Sequence, residues 1–280
     1  MNDRQEGESS MQYETIESPH SGAKLTCYLL DPVPFTMSDG KRPAVVIFPG
    51  GGYGYCSDRE GEPIAARFLA AGMHAFILWY SCGEQARHPA PLLDASWAVA
   101  TIRERFSEAV EEHSIAACGF SAGGHLAASL GAHWQEPAYT EPLGIAPGSN
   151  RPDALLLCYS VISSGEAAHV DTFQNLLGPQ PPQEALAYHS VENHVTGKMP
   201  PAFIWHTMED SLVPVENALL LASAMQKQAV PFELHIYTKG DHGLSTCDEQ
   251  TAPSENYIVK QAQSWIPLSI QWLRGQFAQS

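Results

Sequence analysis

Positive charge is what the chain has least of. Its 280 residues carry 15 lysines and arginines against 31 aspartates and glutamates, a formal net charge of −16 with histidine neutral. The isoelectric point lies near 5.0. Nucleic acid and anionic membrane surfaces demand a basic footprint, so neither is expected as a partner. Long apolar runs are also missing: no window approaches the roughly 18 consecutive apolar residues of a spanning helix. Met1–Ser18 is polar and acidic, without the basic-then-apolar layout of a signal peptide. Cysteine is sparse, six in all, with no C-x-x-C and no paired Cys/His spacing of the zinc kind. Cys27, Cys118 and Cys158 sit in apolar, strand-like runs, where a free thiol behaves as a small hydrophobe. Cys56, Cys82 and Cys247 fall in loop-like stretches. The reading is of reduced thiols in a cytoplasmic protein, with neither a disulfide framework nor a metal site.

What is present is an ordinary globular composition, 44% apolar, with a mean hydropathy of −0.18. A chain of this size buries roughly three quarters of its unfolded surface and needs no staples. Residues 1–22 read as a polar tail, and 23–280 as one domain. Ala23–Leu30 alternates Lys24, Thr26 and Tyr28 with Leu25, Cys27 and Leu29, the period of a half-buried strand. Asp31–Arg42 is loop-like. Continuous apolar strands follow at Pro43–Phe48, His74–Tyr80, Ile115–Phe120, Ala154–Tyr159, Pro201–His206 and Phe232–Tyr237. Helical spacing marks Pro63–Ala71, Leu92–Phe106, a Gly-Gly-led segment reaching about Trp134, Val215–Gln228 and an amphipathic closing helix at Ala262–Arg274. Apolar strands alternating with helices describe an α/β fold, a mostly parallel central sheet with helices on both faces. The irregular stretch from Val161 to Met199 is too long for an ordinary connection and is expected to arch, lid-like, over the sheet's C-terminal edge. The closing helix suits an interface between copies, in a homo-oligomer, as well as it suits the core.

Gly119-Phe120-Ser121-Ala122-Gly123 matches G-x-S-x-G, and it lies where a buried strand ends and a helix begins. That strand–turn–helix setting is what a nucleophile elbow requires: glycines flank a turn too sharp for side chains, and the serine is lifted above the sheet edge. A serine needs a base, and the base needs an orienting acid, in the chain order Ser, acid, His. His242, in the Gly-flanked loop after Phe232–Tyr237, is placed level with Ser121 and is the candidate base. His206 also ends a strand, whereas His133, His169, His189 and His194 read as surface or packing residues. Asp210, in the loop after Pro201–His206, is the candidate acid, with Glu209 and Asp241 as alternatives. Asp94 precedes the serine and reads as a cap or packing residue. Acyl transfer also needs donors for an oxyanion. The N–H of Ala122 supplies one, and Pro49-Gly50-Gly51-Gly52-Tyr53, after an early strand, offers Gly51 and Gly52 as the others. A small acyl pocket would come from the excursion and the Tyr53–Cys56 loop, with Tyr53 the candidate substrate contact. Tyr80, Trp79 and Trp205 read as core aromatics.

The set P-G-G-G-Y (Pro49–Tyr53), S-x-R-E-x-E-P (Ser57–Pro63), G-F-S-A-G-G-H-L-A (Gly119–Ala127), W-H-T-x-x-D (Trp205–Asp210) and G-x-H-G-L (Gly240–Leu244) resembles the α/β-hydrolase esterases. The resemblance is to the acetyl-esterase and acetyl-xylan-esterase-like branch related to hormone-sensitive lipases, and it runs from about Ala23 to the C-terminus. It implies a Ser121–Asp210–His242 triad, an oxyanion hole from Gly51, Gly52 and Ala122, and hydrolysis of short-acyl esters, often acetylated sugars. It implies no cofactor and no metal. One departure is Pro49, where lipase-like relatives carry His. Arg59, Glu60 and Glu62 match the branch's motif and are expected to form structural salt bridges beside the oxyanion loop. Peptidases of the prolyl-oligopeptidase type and arylformamidases share the fold and are the enzymatic alternatives. A hydrolase-fold binding protein without activity is the alternative of another kind.

Overall fold

The pattern of apolar strands is realised as a single eight-stranded sheet in a computed structural model that describes residues 11–32 and 40–278. The strands are β1 (Gln12–Glu17), β2 (Lys24–Leu29), β3 (Arg42–Phe48), β4 (His74–Trp79), β5 (Val110–Phe120), β6 (Ala154–Cys158), β7 (Ala202–Thr207) and β8 (Phe232–Tyr237). They are arranged β1-β2-β4-β3-β5-β6-β7-β8. The pairings β1–β2 and β2–β4 are antiparallel and all the others parallel. The helices are α1 (Glu62–Ala70), α2 (Ala90–Arg105), α3 (Ala122–His133), α4 (Val170–Leu177), α5 (Gln183–Tyr188), α6 (Glu216–Lys227) and α7 (Trp265–Phe277).

Parallel strands buried on both faces need a helical layer on each. On one face Val46, Phe48 and Leu157 pack with Ala95 and Ile102 of α2, Leu126 of α3 and Leu221 of α6. On the other, Val45, Ile47, Ala116 and Cys118 pack with Ile64 and Phe68 of α1 and Trp265 and Leu273 of α7. No described helix is long and apolar enough to cross a membrane.

Three sequence expectations change. Residues 12–17 belong to the sheet as an antiparallel edge strand rather than to a polar tail, with Tyr13 facing Tyr28 across the pair. Residues 1–10 of that tail, and 33–39 of the 31–42 loop, lie outside the described residues. The expected half-exposure of β2 is also overturned, for only Lys24 is exposed. Thr26 accepts a hydrogen bond from Trp79 Nε1, and Tyr28 donates one to Glu62, so both polar side chains are satisfied while covered. The excursion, finally, is built on α4 and α5 and a short 3₁₀ turn at Val191–Asn193. It hangs from Asn217 on α6, whose Oδ1 accepts from Ile162 N (2.8 Å) and Ser163 N (2.9 Å) and whose Nδ2 donates to Ala167 O (2.9 Å).

Register brings the strand ends level. Phe48 of β3 is beside Gly119 of β5, Phe120 beside Cys158 of β6, Cys158 beside Trp205 of β7, and Thr207 beside Tyr237 of β8. The loops leaving these C-terminal ends therefore open onto one edge of the sheet, where open α/β proteins place their sites.

Candidate active site

The turn between β5 and α3 puts Ser121 at φ 53°, ψ −118°, a backbone conformation a β-carbon-bearing residue holds only when its surroundings enforce it. The enforcement is visible. A Cβ on Gly119 would lie 2.2 Å from the Gly123 carbonyl oxygen, and one on Gly123 would lie 2.0 Å from that of Phe48. Both positions are therefore closed to any side chain. Ser121 N donates to Cys158 O (3.0 Å) and Val161 N to Ser121 O (3.1 Å), which fastens the turn to the end of β6.

Ser121 Oγ lies 2.7 Å from His242 Nε2, and His242 Nδ1 lies 2.7 Å from Asp210 Oδ2. The other Asp210 oxygen accepts from Leu212 N (3.0 Å) and Val213 N (2.8 Å). His206 Nε2 stands 3.3 Å from Oδ2 and 2.9 Å from the Val213 carbonyl. Burial pushes the Asp210 carboxyl up, but the hydrogen bonds to His206 and His242 and the backbone N–H of Val213 outweigh it. The group is held well below the usual carboxylate range. An ionised Asp210 places the imidazole proton on Nδ1 and leaves Nε2 to accept from the serine hydroxyl. The alternative acids are engaged elsewhere: Glu209 with Lys239 and Gly240 N, and Asp241 with Ser211 and the backbone N–H of His242.

The glycine loop after β3 has φ +129° at Gly51 and +61° at both Gly52 and Tyr53. At Gly51 a Cβ would sit 2.1 Å from the Tyr55 carbonyl oxygen, so the coil of the loop admits only glycine there. Tyr80 OH donates to Pro49 O (2.5 Å), Gly54 N to Gly51 O (2.9 Å), and Asn175 Nδ2 to Gly52 O (2.9 Å). Among the described residues no acceptor pairs with the N–H of Gly51 or Gly52. Ala122 opens α3, where a helix leaves its N–H groups without intrahelical partners.

Two further expectations are corrected here. Tyr53 is 1% exposed and does not line the cavity; its hydroxyl donates to His125 Nδ1 (2.9 Å), because the positive φ at Gly52 and Tyr53 turns its ring into the core. The expected salt bridges of Arg59, Glu60 and Glu62 are absent among the described residues. Arg59 donates to the carbonyls of Thr251 (2.6 Å) and Gly243 (2.8 Å), and Glu62 accepts from Tyr28. Glu60 is 5% exposed and accepts from Gly50 N (2.7 Å) and Tyr159 OH (2.6 Å). Burial raises its carboxyl above the ordinary range despite those hydrogen bonds.

Above the serine lies an open cavity of about 500 Å³, shared by Ser121, His242, Gly51 and Gly52. Its remaining wall includes Tyr55, Arg59, His169, Asp171, Asn175 and Leu212, most of which sequence reasoning passed over. His169, expected at the surface or in packing, holds its Nδ1 2.7 Å from Thr172 Oγ1 and turns its ring to Gly52. The signal available in the sequence was only that a long connection is commonly a binding loop.

A sheet in this strand order, carrying a strained serine between β5 and α3, makes the chain an α/β-hydrolase. Within that class it belongs to the BD-FAE family, which it matches over residues 33–225. It is similar to the acetyl ester-xyloside bifunctional hydrolase of Caldicellulosiruptor lactoaceticus, with 37% identity and a TM-score of 0.79 over 92% of this chain and 89% of that one. It also resembles the carboxylesterase Cest-2923 of Lactobacillus plantarum WCFS1, at 29% identity and a TM-score of 0.83 over 95% and 98% of the two chains. Among curated proteins it is 39% identical over 216 residues to endo-1,4-beta-xylanase B of Butyrivibrio fibrisolvens, covering 76% of this chain and 34% of that protein. With esterase LipC of Mycobacterium tuberculosis it shares 28% identity over 78% of this chain and 57% of the relative. The chain thus spans about a third to three fifths of the length of the curated relatives it matches.

Proposed function

We propose that the chain is a serine esterase that removes short acyl groups, acetyl foremost, from hydroxylated and sugar-like alcohols through an acyl-enzyme. The observation that carries this is the unbroken chain Ser121–His242–Asp210, with 2.7 Å at each step. His242 Nε2 takes the Ser121 proton as Oγ attacks the ester carbonyl. Asp210 holds the tautomer and faces the imidazolium that forms. The carbonyl oxygen, now an anion, is received by the N–H groups of Gly51, Gly52 and Ala122. Collapse breaks the bond to the alcohol oxygen, which leaves with the proton from His242. Water then repeats the sequence on the acyl-enzyme, and the carboxylic acid departs. Tyr53 is left out of this scheme, and Tyr55 takes the place at the cavity wall.

Support for a sugar-like alcohol is threefold. The cavity rim presents His169, Asp171, Asn175 and Arg59, hydrogen-bonding groups suited to hydroxyls, beside the ring of Tyr55. One similar structure is that of an acetyl ester-xyloside hydrolase. The net charge of −16 also favours uncharged substrates. The test is hydrolysis of p-nitrophenyl acetate, butyrate and octanoate beside an acetylated xylo-oligosaccharide, by the wild type and by Ser121→Ala. Acetate preference with sugar deacetylation, both abolished in the variant, is the expected result. Aryl-ester activity without sugar deacetylation would leave a general short-chain carboxylesterase. Silence on every ester would move the assignment to an amide- or formamide-cleaving relative or to a binding protein.

A further inference from the structure

Beneath the serine, a buried carboxyl group joins the two loops that the proposed reaction must hold in register. Glu60 stands on the 3₁₀ turn Asp58–Glu60, between the glycine loop and the loop of His242. Its Oε2 accepts from Gly50 N, and its Oε1 accepts from Tyr159 OH. The Tyr159 oxygen in turn accepts from Ser245 N at 2.9 Å. Ser245 Oγ donates back to the Arg59 carbonyl (2.6 Å), and the Arg59 guanidinium donates to Gly243 O (2.8 Å), next to His242. The chain of hydrogen bonds therefore runs from the residue preceding Gly51 to the residues flanking the base. Tyr159 holds a positive φ of 36° and presents its ring edge-on to that of His242, with centroids 5.1 Å apart.

No other described group takes the Gly50 N–H, so Glu60 fixes how that peptide is turned together with Tyr80, whose hydroxyl donates to the Pro49 carbonyl of the same peptide. The next two N–H groups, of Gly51 and Gly52, are the ones left for an oxyanion. Packing leaves the loop no slack: a Cβ on Gly50 would meet Glu60 Oε2 at 2.7 Å and Ser121 Cβ at 3.0 Å. Glu60, Gly50 and Ser121 are thus stacked in direct contact. Glu60 is neither in the chain from serine to acid nor paired with a cation, and a carboxyl so deeply buried is costly unless its geometry is used.

We infer that Glu60, acting through Gly50 on one side and Tyr159–Ser245 on the other, is a positioning residue that sets the oxyanion donors in register with His242. The inference rests on the serine-esterase reading above. A displacement of about 1 Å at such a site costs on the order of 10²-fold in rate, without any change in what the ground-state substrate touches.

The experiment compares wild type, Glu60→Gln, Tyr159→Phe and the double variant on p-nitrophenyl acetate. Each is also titrated with a trifluoromethyl ketone, which forms an oxyanion at the serine, and with the substrate's amide analogue, which does not. In Glu60→Gln the side-chain carbonyl still receives Gly50 N–H, but its amide is a donor and leaves the Tyr159 O–H without the acceptor it had. Tyr159→Phe removes only the second link and keeps the ring, so it serves if Glu60→Gln fails to fold. Expected for each single variant is a kcat lowered about 10- to 100-fold with KM within twofold. Affinity for the ketone should fall by the same factor while the amide analogue binds as before. The double variant should be no slower than the slower single one, because both changes cut one chain. Folded variants with kcat and ketone affinity within twofold of wild type would overturn the inference, as would a loss confined to KM. A wild type that is inactive, or a Ser121→Ala that remains active, would instead refute the esterase reading itself.

Discussion

Two histidines that hydrogen-bond to Ser121, one through its ring and one through its backbone, are held in opposite tautomers. His242 turns Nδ1–H to a carboxylate and offers Nε2 to the serine hydroxyl. His125, one helical turn past Ser121 on α3, does the reverse: Nε2–H donates to the carbonyl of His189 (2.9 Å), and Nδ1 accepts from Tyr53 OH. Around His242 the structure gathers a negative group that welcomes an imidazolium. Around His125 it gathers neutral rings, with His189 6.0 Å away and His88 packed in turn on His189 at 4.5 Å. Burial, with His133 and His88 nearby, pulls His125 down to about 4, and His189 is lowered to about 2. The comparison teaches that the partner of the distal nitrogen, rather than proximity to the serine, separates the proposed base from a strut.

The largest test of that contrast is on the reactive side. Ser121→Ala should lower kcat/KM on the order of 10⁶-fold, measured on an aryl acetate with folding checked by circular dichroism. Asp210→Asn, which keeps the shape and misassigns the His242 proton, should cost about 10⁴-fold in kcat. Asp241→Asn is the matched control and should cost less than about tenfold, since Asp241 only ties loop backbone and Ser211; equal losses would dissolve the assignment of the acid.

The neutral cluster should show itself in stability. At pH 7 His125 is uncharged in the folded chain and mostly uncharged in the unfolded one. As the pH falls through 6.5 the unfolded chain takes up a proton that the folded one refuses until about 4, so stability drops across that window. This residue alone should contribute about 3 kcal/mol to the loss by pH 4, read as urea midpoints at stepped pH. A midpoint that stays level over the window would show that the cluster is charged in the fold. His125→Phe leaves the Tyr53 hydroxyl and the His189 carbonyl without partners and should cost about 2 kcal/mol at pH 7. Last and smallest, Asn175→Ala frees Gly52 O from the excursion. It should lower kcat roughly 3- to 10-fold by loosening the glycine loop, with little change in urea midpoint.

What was legible beforehand was what is contiguous. The strand, the serine and the helix of the elbow follow one another within 119–124, and the glycines that permit the turn stand beside it. His242 and Asp210 are candidates legible in the sequence because parallel strands end level, so a loop after a strand's C-terminus is near every other such loop. What escaped depends on neighbours distant in the chain. Glu60 lies in a charged run, Asp58-Arg59-Glu60-Gly61-Glu62, that reads as a set of salt bridges, whereas its partner is the hydroxyl of Tyr159, 99 residues on. Tyr53 and Tyr55 are equally aromatic and two residues apart, and only the loop's positive φ values decide that one is core and the other 65% exposed. The edge strand Gln12–Glu17 has little apolar period of its own and becomes a strand because β2 has a free edge for it.

The amide of Asn217 gives the excursion a single peg in α6, a helix that contributes nothing to the elbow. The connection between α4 and α5 is exposed at Pro179, Gln180 and Pro182 and takes none of the Asn217 hydrogen bonds. Length added there costs little closure entropy and disturbs neither the peg nor the strand ends. The architecture therefore separates two clocks of change: the turn at Ser121 is fastened by backbone contacts, while the roof over the cavity can gain or lose length between α4 and α5 so long as Asn175 stays on Gly52 O and the His189 carbonyl on His125. Substrate range in such a chain can drift through that one connection while the ties from roof to glycine loop and to α3 are kept.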